Sequence, residues 1–197
     1  CPLPFLSCMI DDCLKEGRSV QEGGAVYNFT GPQGFGIANM ADGLFAIRKL
    51  VYEEKKVSME EFKEALAWNY DKGLDAQSAG DMTEMIMKAM QKAGKEADAS
   101  TAAGLLKTFI GMKPGEQKTQ RFKEIHDMID EVPKFGNDIP EIDYFAREVA
   151  YTYSKPLQNY SNPRGGRFQA GLYPVSANVP LGGQTGATPD GRYAHTP

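Results

Sequence analysis

Gly23-Gly24-Ala25-Val26-Tyr27-Asn28-Phe29-Thr30-Gly31-Pro32-Gln33-Gly34-Phe35-Gly36-Ile37-Ala38-Asn39-Met40-Ala41-Asp42 decides how the chain folds. Its first part crowds Gly23, Gly24, Gly31, Gly34 and Gly36 around Pro32, which predicts a long irregular loop or a series of tight turns. Its second part opens a helix. Ile37, Met40, Ala41, Leu44, Ile47 and Val51 recur at helical spacing, so 37–54 is expected to be helical with one buried stripe.

Upstream, Phe5, Leu6, Met9, Ile10 and Cys13 predict a helix over 4–16 that ends at Gly17. Cys8 and Cys13 read as buried thiols on its apolar face. The spacing of Cys1, Cys8 and Cys13 fits neither a zinc knuckle nor a Cys-x-x-Cys redox pair.

Downstream, Ser58-Met59-Glu60-Glu61 is a capping box, with Val57 and Phe62 at the staple positions, and predicts a helix over 58–71. Further amphipathic segments are expected at 82–93, closed by Gly94, at 100–110, closed by Gly111, and at 117–131. The charged face of 117–131, His126 included, reads as solvent-exposed. Asp138-Ile139-Pro140-Glu141 reads as a second capping box, opening a helix over 138–155 that stops before Pro156. Beyond 156 the helical period gives way to glycine and proline. Val175, Ala177 and Val179 alternate with Ser176 and Asn178 between Pro174 and Pro180, which predicts a strand over 174–180. Many helices followed by a strand among loops read as an α/β protein.

The chain has 197 residues, 41% of them apolar and 24% charged, as in an ordinary globular domain. No apolar run approaches the ~18 residues of a membrane span. Residues 1–20 carry Asp11, Asp12 and Glu16 and lack the apolar core of a signal peptide. A net charge of -4 without a basic cluster argues against nucleic acid as a partner. A chain that opens on Cys1 and stops at His195-Thr196-Pro197, just after a Gly-rich region, reads as a piece of a larger protein.

Chemistry-bearing motifs are few. There is no P-loop, and Gly34-Phe35-Gly36-Ile37-Ala38-Asn39 lacks the third glycine of the dinucleotide fingerprint. Turn-making is therefore the preferred role of the glycines, with an anion at the helix start as the alternative. His126 and His195 pair with no hydrolase-type nucleophile motif, and no cluster has metal-ligand spacing. No bound cofactor and no metal are expected.

Four stretches taken in order carry a resemblance: Pro4-Phe5-Leu6-Ser7, the glycine-rich stretch 23–42, Lys134-Phe135-Gly136-Asn137-Asp138, and Gly186-Ala187-Thr188-Pro189-Asp190-Gly191-Arg192. In this order and at these distances the chain resembles the pyruvate formate-lyase-like glycyl radical enzymes along essentially its whole length. Tyr27 to Gly34 and Tyr173 to Gly182 look most like the diol and amino-alcohol eliminases, and within them the choline trimethylamine-lyases.

The resemblance implies a fragment of an α/β barrel of roughly ten strands, closed so that no sheet edge is left free. It makes residues 1–197 part of the catalytic domain. A glycyl radical, installed by a separate radical S-adenosylmethionine activase, would pass to a cysteine in a Cys-x-Glu motif. That thiyl would abstract hydrogen from the hydroxyl-bearing carbon of choline, and C–N cleavage would give trimethylamine and acetaldehyde. Glycerol or propane-1,2-diol dehydration is the alternative within the family, and a non-catalytic helical scaffold the alternative outside it.

Neither radical motif is present. Cys1 is followed by Pro2-Leu3, Cys8 by Met9-Ile10 and Cys13 by Leu14-Lys15, and the Arg-Val-x-Gly-Tyr-like radical loop is absent. The first is expected before residue 1 and the second past Pro197. No catalytic residue is assigned, and this stretch alone is expected to be inactive. Tyr173, Ser176 and Asn178 are the expected substrate-binding residues, Ser176 and Asn178 sharing the polar face of the strand. The resemblance also implies a homodimer when full length; no membrane partner is expected, and the cysteine usage points to a cytoplasmic site of action, with a bacterial microcompartment as the alternative.

Overall fold

The computed structural model describes residues 3–74, 76–92, 98–110 and 112–197, at 76–78 the backbone alone. Nine α-helices form among them: α1 (Pro4–Cys8), α2 (Cys13–Glu16), α3 (Ile37–Ile47), α4 (Met59–Ala67), α5 (Ala76–Lys92), α6 (Ala99–Phe109), α7 (Glu116–Glu131), α8 (Pro140–Leu157) and α9 (Asn178–Gly182). The described chain divides into two compact units, Cys1–Ile37 with Tyr144–Val175, and Ala38–Asp143 with Ser176–Pro197. No described helix is long and apolar enough to cross a membrane.

In the first unit the single helix expected over 4–16 is broken in two. Asp12 adopts a left-handed φ of 70° and starts α2, while Gly17, at φ 63°, ends it as expected. Ser7 ties α1 to the turn beyond α2: its hydroxyl donates to the Leu3 carbonyl at 2.8 Å and accepts from the Val20 amide at 3.1 Å. The break re-aims the cysteines. Cys13 is buried, but Cys8 is exposed, which corrects the expectation of two buried thiols. Cys1 lies outside the described residues.

The second unit holds the main core. Ala41, Phe45, Ala46 and Leu50 of the α3 region, Phe62 and Ala65 of α4, Phe122, Ile125 and Ile129 of α7, and Ile142 are all buried. The helix predicted over 37–54 forms, and its second half widens into a π-helical segment, Arg48–Glu53. Lys49, within that segment, bonds Glu141 at 2.7 Å and Glu53 at 3.1 Å.

Helix α4 starts where predicted. The Ser58 hydroxyl accepts from the Glu61 amide at 3.1 Å, and Val57 and Phe62 are both buried, as a staple requires. The reciprocal half of the box is missing because the Glu61 carboxylate is taken by Arg121 of α7, at 2.8 and 3.4 Å. That fork also reaches the Lys56 carbonyl at 3.0 Å, so one guanidinium ties α4, α7 and the turn before α4 together.

The second capping box is overturned. Helix α8 begins at Pro140, and Ile139, whose carbonyl accepts from Asp143 at 3.1 Å, occupies the cap. A residue before proline is held extended, as a cap requires. Asp138 is therefore one position too early and sits at φ 56°. Pro156 falls inside the last turn of α8 rather than beyond it. Gly94 and Gly111, expected to close the middle helices, lie outside the described residues.

The strand over 174–180 is also overturned. Val175 and Val179 are exposed, and α9 begins at Asn178. Pro180 stands third in that helix, where a missing N–H leaves nothing unpaired. Among the described residues no strand forms, and three isolated β-bridges remain, two of them pairing 30–33 with 168–171. The extended partner is the segment before Tyr173, not the one after it.

The Arg121 guanidinium holds the Glu61 carboxyl below its ordinary 4.5 against the opposing effect of burial. A carboxylate with a lowered folded pKa stabilises the fold above its unfolded pKa and loses that contribution as pH falls through the folded value. Thermal melts of wild type and Glu61→Gln across pH 7 to 3 should therefore differ most at neutral pH and converge below about 4.5. A gap that stays constant with pH would show that this ion pair does not hold α4 on α7.

Candidate functional site

The first unit delivers Tyr173 through a short parallel pairing. Thr30 N–H donates to the Arg167 carbonyl at 3.1 Å and the Gln169 amide to the Thr30 carbonyl at 2.9 Å. The Gly171 amide donates to the Pro32 carbonyl at 2.9 Å and the Gly34 amide to the Gly171 carbonyl at 2.8 Å. Gly34 lies under the ring of Tyr153 and the side chain of Leu172, where a Cβ would stand 2.9 Å from Tyr153 Cε1. The glycine-rich loop is thus an extended partner, and at Gly34 the neighbours leave no room for a side chain.

Asn162 anchors this pairing. Its buried amide donates to the Asn28 carbonyl and, at 2.9 Å, to the Thr30 hydroxyl; its Oδ1 accepts from the Arg164 amide at 2.9 Å and the Gly166 amide at 3.1 Å. Gly166 lies directly on the Asn28 carbonyl, with no space for a Cβ. Beyond Gly171, the Tyr173 ring folds back over that glycine and remains 59% exposed.

Ser176 and Asn178 belong to the second unit and are both exposed. Asn178 is the first residue of α9 and Ser176 precedes its cap, so the period-two face they were expected to share does not exist. Among the described residues, the side chains of Tyr173, Ser176 and Asn178 make no hydrogen bond, which leaves their donors and acceptors available.

Loop 186–196 follows α9 and is held by side chains from several helices of the same unit. Three consecutive residues after α4 reach it. Asn69 Oδ1 accepts from the Ala194 amide at 2.8 Å, the Tyr70 hydroxyl donates to the Thr188 carbonyl at 2.8 Å, and Asp71 accepts from the Tyr193 hydroxyl at 3.0 Å. His126 Nε2 donates to the Gly191 carbonyl at 2.8 Å, and its ring stacks on Tyr193 with centroids 4.5 Å apart. His126 is buried, which corrects its expected exposure. The signal for it was its place beside Phe122, Ile125 and Ile129, which widens the apolar stripe of α7.

Asp190 receives the Asn39 amide at 2.8 Å, and its carbonyl shares the Lys134 ammonium with the Ile129 carbonyl, both at 2.9 Å. Burial pushes the Lys134 pKa down, and burial pushes the Asp42 carboxyl up although it accepts from the Phe135 amide at 2.8 Å. Burial also raises the Tyr70 and Tyr193 phenols, so both stay protonated donors. This network satisfies the loop's backbone with side chains from the helices. Among the described residues no group of acidic, histidine or cysteine side chains has a metal-binding arrangement.

The Pyruvate formate lyase-like family profile matches residues 1–182. The chain belongs to that family. It is 33% identical to a probable dehydratase, YbiW, of Escherichia coli K12, over 97% of this chain and 19% of that protein. Among solved structures, one from Roseburia inulinivorans concerned with 1,2-propanediol dehydration is 60% identical, with a TM-score of 0.90, over 100% of this chain and 23% of that one. The glycerol-bound B12-independent glycerol dehydratase of Clostridium butyricum is 39% identical, with a TM-score of 0.63, over 100% of this chain and 19% of that one. The chain therefore spans about a fifth of the length of these relatives.

Asn162→Ala should remove the side-chain partner of the Asn28 carbonyl and of the Arg164 and Gly166 amides, at about 1–3 kcal/mol for each group left buried, while the Thr30 hydroxyl keeps Arg164. Hydrogen exchange at Thr30, Gly34, Gln169 and Gly171 should accelerate together. Unchanged protection at these four amides would show that the pairing stands without Asn162.

Proposed function

We propose that residues 1–197 are part of the catalytic domain of a glycyl radical lyase that dehydrates a small vicinal diol, propane-1,2-diol ahead of glycerol. The observation that carries this reading is the likeness to the Roseburia inulinivorans structure, 60% identity and a TM-score of 0.90 along the whole chain, against 39% and 0.63 for the glycerol dehydratase. Choline, which the resemblance of 27–34 and 173–182 placed first, moves behind the diols, because the relatives reported above are dehydratases. The family likeness to lyases also favours an enzyme over a helical scaffold.

In this reading the Cys-x-Glu and glycyl radical loops belong to the rest of the protein, and an activase supplies the radical. The radical group provides hydrogen-atom abstraction. The contribution of this chain is to bind and orient the substrate, with Ser176 and Asn178 offering hydrogen bonds to its hydroxyls. Loss of one hydroxyl and one hydrogen as water converts propane-1,2-diol to propionaldehyde without external oxidant or reductant. A closed site keeps water away from the radicals. A homodimer acting in the cytoplasm or in a microcompartment belongs to the same proposal.

The full-length protein, activated anaerobically, should turn over propane-1,2-diol with a higher kcat/KM than glycerol and should release no trimethylamine from choline. Trimethylamine release at a comparable rate would restore the choline reading. Asn178→Ala should lower kcat/KM for propane-1,2-diol about tenfold, the size expected for one lost hydrogen bond. Glycyl radical content, measured by electron paramagnetic resonance, separates this loss from failed activation.

A further inference from the structure

The turn after α4 has an unusual backbone. Asn69 and Tyr70, consecutive non-glycine residues, have φ of 51° and 55°. A left-handed tyrosine is a rare conformation that persists only where its surroundings impose it. Here the result is that Asn69, Tyr70 and Asp71 all bond one loop, at Ala194, Thr188 and Tyr193. Tyr70 is fully buried, so its hydroxyl has a fixed direction.

That loop is tied to the chain directly after α9. The His195 amide donates to the Thr185 carbonyl at 3.0 Å and its Nδ1 to the Gly183 carbonyl at 2.8 Å. Arg192 bonds the Thr196 carbonyl at 2.7 Å and also the Gly186 carbonyl. Gly182, the last residue of α9, abuts the Thr196 carbonyl so closely that no Cβ fits. Helix α9 is five residues long, so a shift at Gly182 moves Asn178 as well.

We propose that Asn69, Tyr70 and Asp71 are positioning residues that set the place of Ser176 and Asn178 through loop 188–196. The proposal rests on the reading of Ser176 and Asn178 as substrate-facing. Loop anchorage alone would not require the strained pair. Three bonds from adjacent residues fix the loop in both translation and rotation, which is what a binding group at the far end of the loop needs.

Asn69→Gly separates the two roles. Glycine takes a left-handed φ without strain, so the variant relaxes the backbone while deleting the Oδ1 contact to Ala194. In the full-length, activated enzyme, Asn69→Gly should remain folded with wild-type radical content, its melting temperature lowered by the loss of the buried bond to the Ala194 amide. Its KM for propane-1,2-diol should rise about three- to tenfold, the range of one hydrogen bond. Asn69→Asp, which keeps the acceptor, should restore KM. Combining Asn69→Gly with Asn178→Ala should raise KM no further than Asn178→Ala alone, as expected for residues acting in one chain of contacts. If Asn69→Gly does not fold, Tyr70→Phe, which removes only the hydroxyl on Thr188, carries the same expected rise. Wild-type KM in the folded turn variant, with Asn178→Ala raising KM, overturns the positioning role and leaves the site reading standing. Wild-type KM in Asn178→Ala overturns the site reading and this route with it.

Discussion

One buried amide fixes the first unit. Asn162 uses both amide hydrogens and both lone pairs of its side chain, on Asn28, Thr30, Arg164 and Gly166, and its backbone closes the same turn through Gly165 and Gly166. A buried polar group satisfied at every valence specifies one geometry, because any shift leaves a partner unpaired. The absence of a side chain at Gly166 is the second half of the constraint, since only glycine lets this turn rest on the Asn28 carbonyl. From that contact follow the register of 30–34 against 167–171, the seat of Gly34 under Tyr153 and the direction in which the chain leaves towards Tyr173.

The second unit solves a different problem: it must hold a loop that has no regular hydrogen bonding of its own. Loop 186–196 has carbonyls and amides that no helix or sheet can satisfy, and the helices supply side chains instead. Tyr70, His126, Lys134 and Asn69 each take one such group. Lys134 does so while also closing the end of α7 at Ile129, where a cation suits the free carbonyls. Burial pushes its pKa down, so the ammonium is retained there by hydrogen bonds made against a desolvation penalty. Such a network is costly to bury and therefore rigid once satisfied.

What could be read from the sequence follows the range of the interactions involved. Local signals sufficed for α4, whose cap and staple lie within five residues, and for the stop at Gly17. They sufficed for the amphipathic runs of α3, α7 and α8. Signals that depend on a distant partner failed. Residues 174–180 had strand alternation, but a strand needs a neighbour, and the neighbour at 30–34 pairs with 167–171 instead. The buried His126 depends on Tyr193 and Gly191, 65 residues downstream in the latter case. The Asp138 cap failed on a subtler local rule, because Pro140 shifts the cap to Ile139. The expected site residues sit on chain termini of elements, where a register error of one or two positions changes every direction, so the polar face drawn from period two did not survive.

In the proposed role, the chemistry of those residues would discriminate between substrates. Asn178 and Ser176 carry neutral groups that both donate and accept, and the described chain leaves them unengaged. A diol hydroxyl also donates and accepts, so either residue can pair with it in two senses. A quaternary ammonium has no N–H or O–H to give, and it is recognised by carboxylates or by aromatic faces around the cation. Two carboxylates of the unit that carries α9 are engaged, Asp190 by Asn39 and Thr188, and Asp71 by Lys72 and Tyr193. In the proposed role, residues 176–178 would offer hydrogen bonding without charge, which suits two vicinal hydroxyls and gives a trimethylammonium group little to bind.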